Sequence, residues 1–367
     1  MRKLLALVLA LVMLCSLAAC GGGDKTPESQ APESQAPESY EIALVTDVGN
    51  IDDKSFNEGT WKGVVEYAEA NGRTYNYFRP SEDSTEARVE AIGSAVDKGA
   101  NVVVCPGFMF AETLSMVQDQ YPDVMFLGLD VAASDMGDKV SPNVSLITYQ
   151  EEQAGYLAGY AAVKDGYTKL GFLGGMDVPA VIRYGYGFVQ GADAAAAEDG
   201  IEGVEVKYWY GQTFGPSDDV KIKMDSWFTE GTEVVFACGG GIYLSAVQAA
   251  EQASGKVIGV DVDQSNQADL IITSAMKELQ ASTVLALTDL YDNGMAWPED
   301  YAGVQQVLGA KVGCVGLPTA EESWRFDTFT VEQYQEVFDK IVSGDITVSD
   351  KTDEVPAVTV VTVDYQG

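Results

Sequence analysis

From about residue 41 onward, short β-branched and aliphatic runs alternate with longer stretches whose apolar positions recur at helical spacing. Glu41 to Thr46 reads as a buried strand, and Asn57 to Asn71 as a helix with Trp61, Val64, Val65 and Ala68 on its apolar side. Tyr75 to Phe78, Val102 to Cys105 and Val124 to Leu129 read as further strands, separated by helices over Thr85 to Lys98 and Ala111 to Gln120. The rhythm restarts after Tyr149. Helices over Ala154 to Val163, Tyr184 to Glu198, Ser217 to Thr229 and Leu244 to Ala253 alternate with strands at Lys169 to Leu173, Val204 to Tyr208, Val234 to Ala237, Lys256 to Val260 and Leu270 to Ser274. Strands separated by helices of this length specify βαβ units around a parallel sheet. Two successive sets specify an α/β fold of two Rossmann-like lobes with a cleft between them. In such sheets the ligand sits beyond the carboxyl ends of the strands, so the chemistry is sought there.

The start of the chain follows a different pattern. Arg2 and Lys3 precede an apolar run from Leu4 to Leu14, and Leu17-Ala18-Ala19-Cys20 follows. This is the charged, apolar and small-residue order of a secretory signal, and the run is shorter than the roughly 20 residues of a membrane span. The ending looks like a bacterial lipobox. Residues 1–19 are therefore expected to be removed, and Cys20 to be lipidated and to hold the protein on the outer face of a membrane by lipid alone. The competing reading is an ordinary signal peptide with a coincidental cysteine. From 20 to 39 the composition is Pro-, Glu- and Ser-rich, with a Pro-Glu-Ser theme at 27, 32 and 37. With no apolar surface to bury, this segment reads as a tether.

Composition narrows the function classes. The formal charge is −34, and loss of Arg2 and Lys3 makes it two units more negative. Such a body is repelled by nucleic acid and by anionic lipid. There is no histidine, which removes the commonest general base and metal ligand. Cys105, Cys238 and Cys314 sit among apolar or glycine neighbours and read as free, buried thiols, and no CxxC pair suggests zinc or redox chemistry.

The run after the first strand carries the densest chemistry. Asp47-Val48-Gly49-Asn50-Ile51-Asp52-Asp53-Lys54-Ser55-Phe56-Asn57 leads into a helix. Ser55 is expected to be its N-cap, with Glu58 completing a capping box. Phe56 and Asn57 then stand at the helix start, facing the cleft. An aromatic ring beside an amide and the Asp47 carboxylate suits a planar, hydrogen-bonding ligand; the alternative is a polar loop with Phe56 in the core. The aspartates lack EF-hand spacing and Lys54 lies among them, so no metal site is expected. Glu151 and Glu152 open a helix and read as partners of its dipole. Trp227, Trp297 and Trp324 read as packing residues.

The segment DVGNIDDKSFN, followed by Trp61-Lys62-Gly63, closely resembles the opening motif of the basic membrane protein family. Further matches are Gly174-Gly175-Met176-Asp177-Val178-Pro179, Gly187-Phe188 with Gly191-Ala192, Gly259-Val260-Asp261-Val262-Asp263-Gln264 and Thr273-Ser274-Ala275-Met276-Lys277, so the likeness spans essentially the whole body. The resemblance implies a lipoprotein with a type I periplasmic binding protein fold, its lobes joined by a hinge. It implies service to an ABC importer with permease and ATPase partners, in many members for purine nucleosides. By position it assigns Phe56 to stacking on the base, with Asp47 and Asn57 at its polar edge and Phe214 as the aromatic from the opposite lobe. Gly240 would give a backbone contact to ribose, Asp261 would bind its hydroxyls and Lys277 would add a further contact, with Asp130 also facing the cleft. By the same analogy, residues 40–148 with about 276–312 form the N-terminal lobe, and 149–275 with about 313–367 the C-terminal lobe.

The residues are consistent with these roles, since one carboxylate can accept from both vicinal hydroxyls of a ribose and a triple glycine lets backbone approach closely. No Gly-Lys-Ser/Thr follows that glycine run, so it is not a phosphate loop. The implied protein binds without catalytic residues or cofactor. Two other readings stay open: a receptor for a sugar or another nucleoside-like solute, and a surface enzyme that cleaves nucleosides, which the lack of histidine disfavours.

Overall fold

The computed structural model describes residues 39–366. The expected signal segment, the expected lipidation site Cys20 and the expected tether up to residue 38 lie outside the described residues. In chain order the first half contains β1 (Ile42–Val45), α1 (Phe56–Ala70), β2 (Tyr75–Phe78), α2 (Thr85–Asp97), β3 (Val102–Pro106), α3 (Phe110–Gln120), β4 (Met125–Leu129) and β5 (Val144–Tyr149). There follow α4 (Glu151–Lys164), β6 (Lys169–Gly174), α5 (Pro179–Asp199), β7 (Glu205–Tyr210), α6 (Asp218–Thr229), β8 (Val234–Cys238), α7 (Tyr243–Ala253), β9 (Lys256–Asp261) and β10 (Ile271–Lys277). The remaining elements are α8 (Leu279–Asp292), β11 (Gln305–Leu308), β12 (Val315–Gly316), α9 (Val331–Ser343) and β13 (Thr362–Tyr365).

The strands form two sheets, ordered β11-β5-β4-β3-β1-β2 and β12-β10-β9-β8-β6-β7-β13. Every pairing is parallel except β12 on β10. The first six strands of the two orders correspond, with β1, β3 and β4 of one sheet matching β6, β8 and β9 of the other, and β13 is an additional edge strand beside β7. The fold is thus the expected α/β pair of parallel-sheet lobes. The central strands are apolar throughout and fully buried, as strands covered by helices on both faces must be. The chain passes between the sheets three times: at Tyr149–Glu151, at Glu278, and between β11 and β12.

Helices α4 and α5 cross at unusually close range. A side chain at Gly155 or Gly159 would lie within about 2.1 Å of the Tyr184 or Phe188 carbonyl oxygen, and one at Gly191 would strike Tyr156. Glycine on both facing stripes lets the backbones touch, which draws Tyr184, Glu151 and Arg183 together at the inner end of the helix pair.

Several expectations need adjusting. Helix α5 begins at Pro179, five residues before the expected Tyr184, because proline fits the first helical turn, where its missing N–H is not needed. Strand β5 and helices α8 and α9 were not read from the pattern, although Thr330 and Gln333 form a capping box at the start of α9. Cys105 and Cys238 are buried and free; Cys314 is free but only half-buried, since it lies on the third passage between sheets. No helix among the described residues is long and apolar enough to cross a membrane.

Candidate functional site

All eight residues singled out from the sequence line a single cavity. Asp47, Phe56, Asn57 and Asp130 reach it from the first lobe, and Phe214, Gly240, Asp261 and Lys277 from the second.

One end is built from the loop after β1. The expected capping box does not form. Asp53, rather than Ser55, caps α1, its two carboxylate oxygens accepting from the backbone N–H of Ser55, Asn57 and Glu58. Glu58 accepts instead from the Lys54 N–H. The Asn57 amide nitrogen donates to Asp47 Oδ1 at 2.8 Å and to Asp53 Oδ2 at 3.0 Å. The Gly49 N–H also donates to Asp47 Oδ1, at 2.6 Å. Burial, set against these hydrogen bonds, lifts the Asp47 carboxyl to about 6.

The other end holds a buried charge cluster. Lys277 Nζ lies 2.5 Å from Asp130 Oδ2, 3.3 Å from Glu151 Oε1 and 3.8 Å from Asp261 Oδ1. Arg183 Nε donates to Glu151 at 2.6 Å. Burial raises Asp130 and Asp261 above the usual carboxylate range, while Lys277 is held charged by its three acidic neighbours against its own burial. Burial also pushes Glu151 upward, but Arg183 and Lys277 outweigh it and keep this carboxylate ionised. Three carboxylates against two cations leave surplus acceptors. Asp130 Oδ1 and the Tyr184 hydroxyl, both on the cavity, have no hydrogen-bond partner. Buried polar groups without partners are costly, and here they lie where a ligand's hydroxyls could meet them.

Asp130 and Asp261 end corresponding strands, β4 and β9, and both adopt left-handed backbone with φ of 58° and 66°. Aspartate tolerates that region better than most residues, and the turn aims both carboxylates inward. Gly240, with φ of 53°, must be glycine for a second reason: a side chain there would lie 2.7 Å from the Phe214 carbonyl oxygen. A side chain at Gly175 would strike the Phe214 ring at 2.6 Å. The glycine runs therefore seat the Phe214 loop, which the Gly241 N–H holds by donating to the Phe214 carbonyl at 2.7 Å.

Sequence reasoning missed Tyr184, Asp53 and Cys238 as cavity residues, and Glu151 was read as a dipole partner. The one available signal was the position of Cys238 at a strand end. Trp227 and Trp297 are buried as packing residues, and Trp324 packs against Phe326 and Tyr334. Among the described residues, no group of three or more His, Cys, Asp or Glu side chains is arranged to hold a metal ion.

Two corresponding parallel-sheet lobes around a cavity at their strand ends are the fold of periplasmic-type solute-binding proteins. The chain belongs to the Bmp family, "ABC transporter substrate-binding protein PnrA-like", whose model matches residues 41–352. It is 27% identical to the "ABC transporter nucleoside-binding protein BmpA" of Lactococcus lactis, over 72% of this chain and 74% of that one. It is 25% identical to the "CD4+ T-cell-stimulating antigen" of Listeria innocua, over 95% of this chain and 99% of the other. Among solved structures it is similar to a solute-binding protein of an ABC transporter system from Aeropyrum pernix, with a TM-score of 0.73, 22% identity, and 86% and 94% of the two chains covered. That likeness concerns the fold.

Proposed function

We propose that this substrate-binding protein captures purine nucleosides and delivers them to the permease and ATPase of an importer, held at the membrane by lipid on Cys20. The observation that carries the reading is the pairing of an aromatic from each lobe, Phe56 and Phe214, with two polar ends of different chemistry in one cavity. A purine base is planar and stacks between rings. Its polar edge meets Asp47 and Asn57. Hydroxyls, which both donate and accept, suit the mixed end where Asp130 and Asp261 accept and Lys277 donates. The printed name of the Lactococcus relative supports the same ligand class. A free sugar would use the mixed end but leave the aromatic end empty.

Capture follows from the architecture. The lobes close over the ligand by bending at their three connections, and the ligand stabilises the closed arrangement. The reading is one of binding without cleavage: the chain has no histidine to act as a general base, and Asp47, Asp130 and Asp261 each already bond to Asn57, Lys277 or Ser55.

Isothermal titration with inosine, guanosine, hypoxanthine and ribose tests the reading. Nucleosides should bind well above both fragments. Binding of ribose without any nucleoside would replace this reading with a sugar receptor, and release of hypoxanthine from inosine would make the protein an enzyme.

A further inference from the structure

The segment Gly259-Val260-Asp261-Val262-Asp263-Gln264, at the end of β9 in the second lobe, reaches the cavity with Val260 and Asp261. Its last residue has another place. We infer that Gln264 is a positioning residue that clasps the second lobe onto the segment carrying Phe56, and that it sets how long a ligand stays rather than how fast it arrives.

The clasp is built from local geometry. Asp261 is left-handed, and the Val262 N–H donates to the Val260 carbonyl at 2.8 Å, a three-residue turn that folds the chain back on its own strand. Gln264 is thereby fully buried. Its Oε1 accepts the Val260 N–H at 3.1 Å, and its backbone N–H donates to Ser274 Oγ on β10 at 3.0 Å. Gly259 makes the room: a side chain there would lie 2.6 Å from both Gln264 Oε1 and Ser274 Oγ. With Oε1 held on a donor, the amide cannot be turned over. Its nitrogen therefore points across the cleft, where it donates to the Lys54 carbonyl at 2.9 Å.

The receiving segment is shaped for this contact. Lys54 has φ of 57°, a left-handed backbone that a lysine rarely adopts. Such backbone persists where surrounding contacts over-determine it, and Gln264 supplies one from the other lobe. Next along the chain, Ser55 Oγ bonds to Asp261 Oδ2, and Phe56 then lines the cavity. One turn further, Val262 packs against α1 at Gly59, where a side chain would lie 3.0 Å from Val262 Cγ1. Asp261, Val262 and Gln264 thus all grip the start of α1.

The Gln264 bond differs from the other links in being independent of the ligand. Among the described residues, the cavity wall includes Asp130, Asp261 and Lys277 but neither Gln264 nor Lys54. A ligand that draws on Asp261 can loosen its bond to Ser55, whereas it has no contact with Gln264. The bond forms as the lobes come together around an entered ligand and breaks as they part. It therefore lies on the path of release and not of encounter.

Stopped-flow kinetics of inosine, the ligand class proposed above, on the full chain tests the inference. Gln264→Glu keeps an oxygen for the Val260 N–H and removes the donor to Lys54. Its dissociation rate should rise about tenfold, as for loss of a buried hydrogen bond, with the association rate within about twofold of wild type. Gln264→Met, of similar length and uncharged, should show the same split between the two rates. An unchanged dissociation rate, or an association rate that falls as far as the dissociation rate rises, would overturn the inference. Small-angle scattering reads the clasp without any ligand: ligand-free Gln264→Glu should have a larger radius of gyration than wild type, and equal radii would also overturn it. Failure of wild type to bind any purine nucleoside would overturn the nucleoside reading alone, and the scattering result would then decide the clasp.

Discussion

Ser55 Oγ donates to Asp261 Oδ2 at 2.5 Å, joining two residues 206 positions apart and on opposite lobes. The serine that sequence logic places as a helix cap instead ties the lobes together, leaving the cap to Asp53. Its partner is the carboxylate proposed to bind ribose hydroxyls. A second bond runs the same way, from Gln264 Nε2 to the Lys54 carbonyl at 2.9 Å, and the Lys277–Asp130 ion pair is a third link between lobes. These three contacts link the lobes through the protein's own side chains and backbone.

Ser55→Ala should loosen this arrangement. Hydrogen bonds to charged groups contribute about 1.5–3 kcal/mol, and this one is made only while the lobes are together. Small-angle scattering of the ligand-free variant should give a larger radius of gyration than wild type, and saturating nucleoside should restore it. Identical radii would show that the bond does not govern closure.

Phe56→Ala should weaken nucleoside binding by about 1–3 kcal/mol, the usual range for loss of one base-stacking aromatic. Phe214→Ala should do the same from the other lobe, and titration calorimetry measures both. The Phe56 ring also lies 4.6 Å from Lys277 Nζ, so Phe56→Leu, which keeps bulk but loses the π face, separates aromatic from steric contributions.

Much of the cavity was legible because strand ends are local signals. Asp47, Asp130, Gly240 and Asp261 each follow a run whose period and apolarity mark it as a strand, and open sheets place ligands there, although it was the family resemblance that singled out Asp130, Gly240 and Asp261 among the residues at strand ends. The charge cluster was not legible. Glu151 and Lys277 are 126 residues apart, and only the close glycine-lined crossing of α4 and α5 brings Arg183 and Tyr184 to the same place. The cap at Asp53 was misread because Ser55 and Glu58 satisfy the local capping rule; only the fold reveals that the serine has a partner in the other lobe.

Lys277→Met should destabilise the protein by about 3–5 kcal/mol at neutral pH, since removing one member of a buried ion pair strands its partners. Asp130, Glu151 and Asp261 would then share one enclosed space with no ammonium. Protonation relieves that repulsion, so the deficit relative to wild type should shrink from pH 7 to pH 5 in urea denaturation. A deficit unchanged with pH would show that lost packing, not charge, is responsible.

Glu152 gives a pH prediction of definite sign. It is buried beside Glu151 with Oε2 unpartnered, and burial, then the Glu151 charge, lifts it to about 8. A carboxyl raised on folding favours the folded state below its ordinary value of 4.5, and that contribution is lost as pH climbs through 8. Glu152→Gln should therefore be more stable than wild type at pH 9, with the advantage fading toward pH 5. Parallel stability curves for the two proteins would place Glu152 in contact with solvent.

The central claim is that one cavity holds a base between Phe56 and Phe214 and a ribose against Asp261 and Lys277. The crystal structure of the complex with inosine tests it most directly. The account predicts the purine ring stacked between the two phenylalanines, its polar edge at Asp47 and Asn57 and its ribose diol on Asp261. A purine bound outside this cavity, or bound within it with the sugar at Asp47 and the base against Lys277, would contradict it.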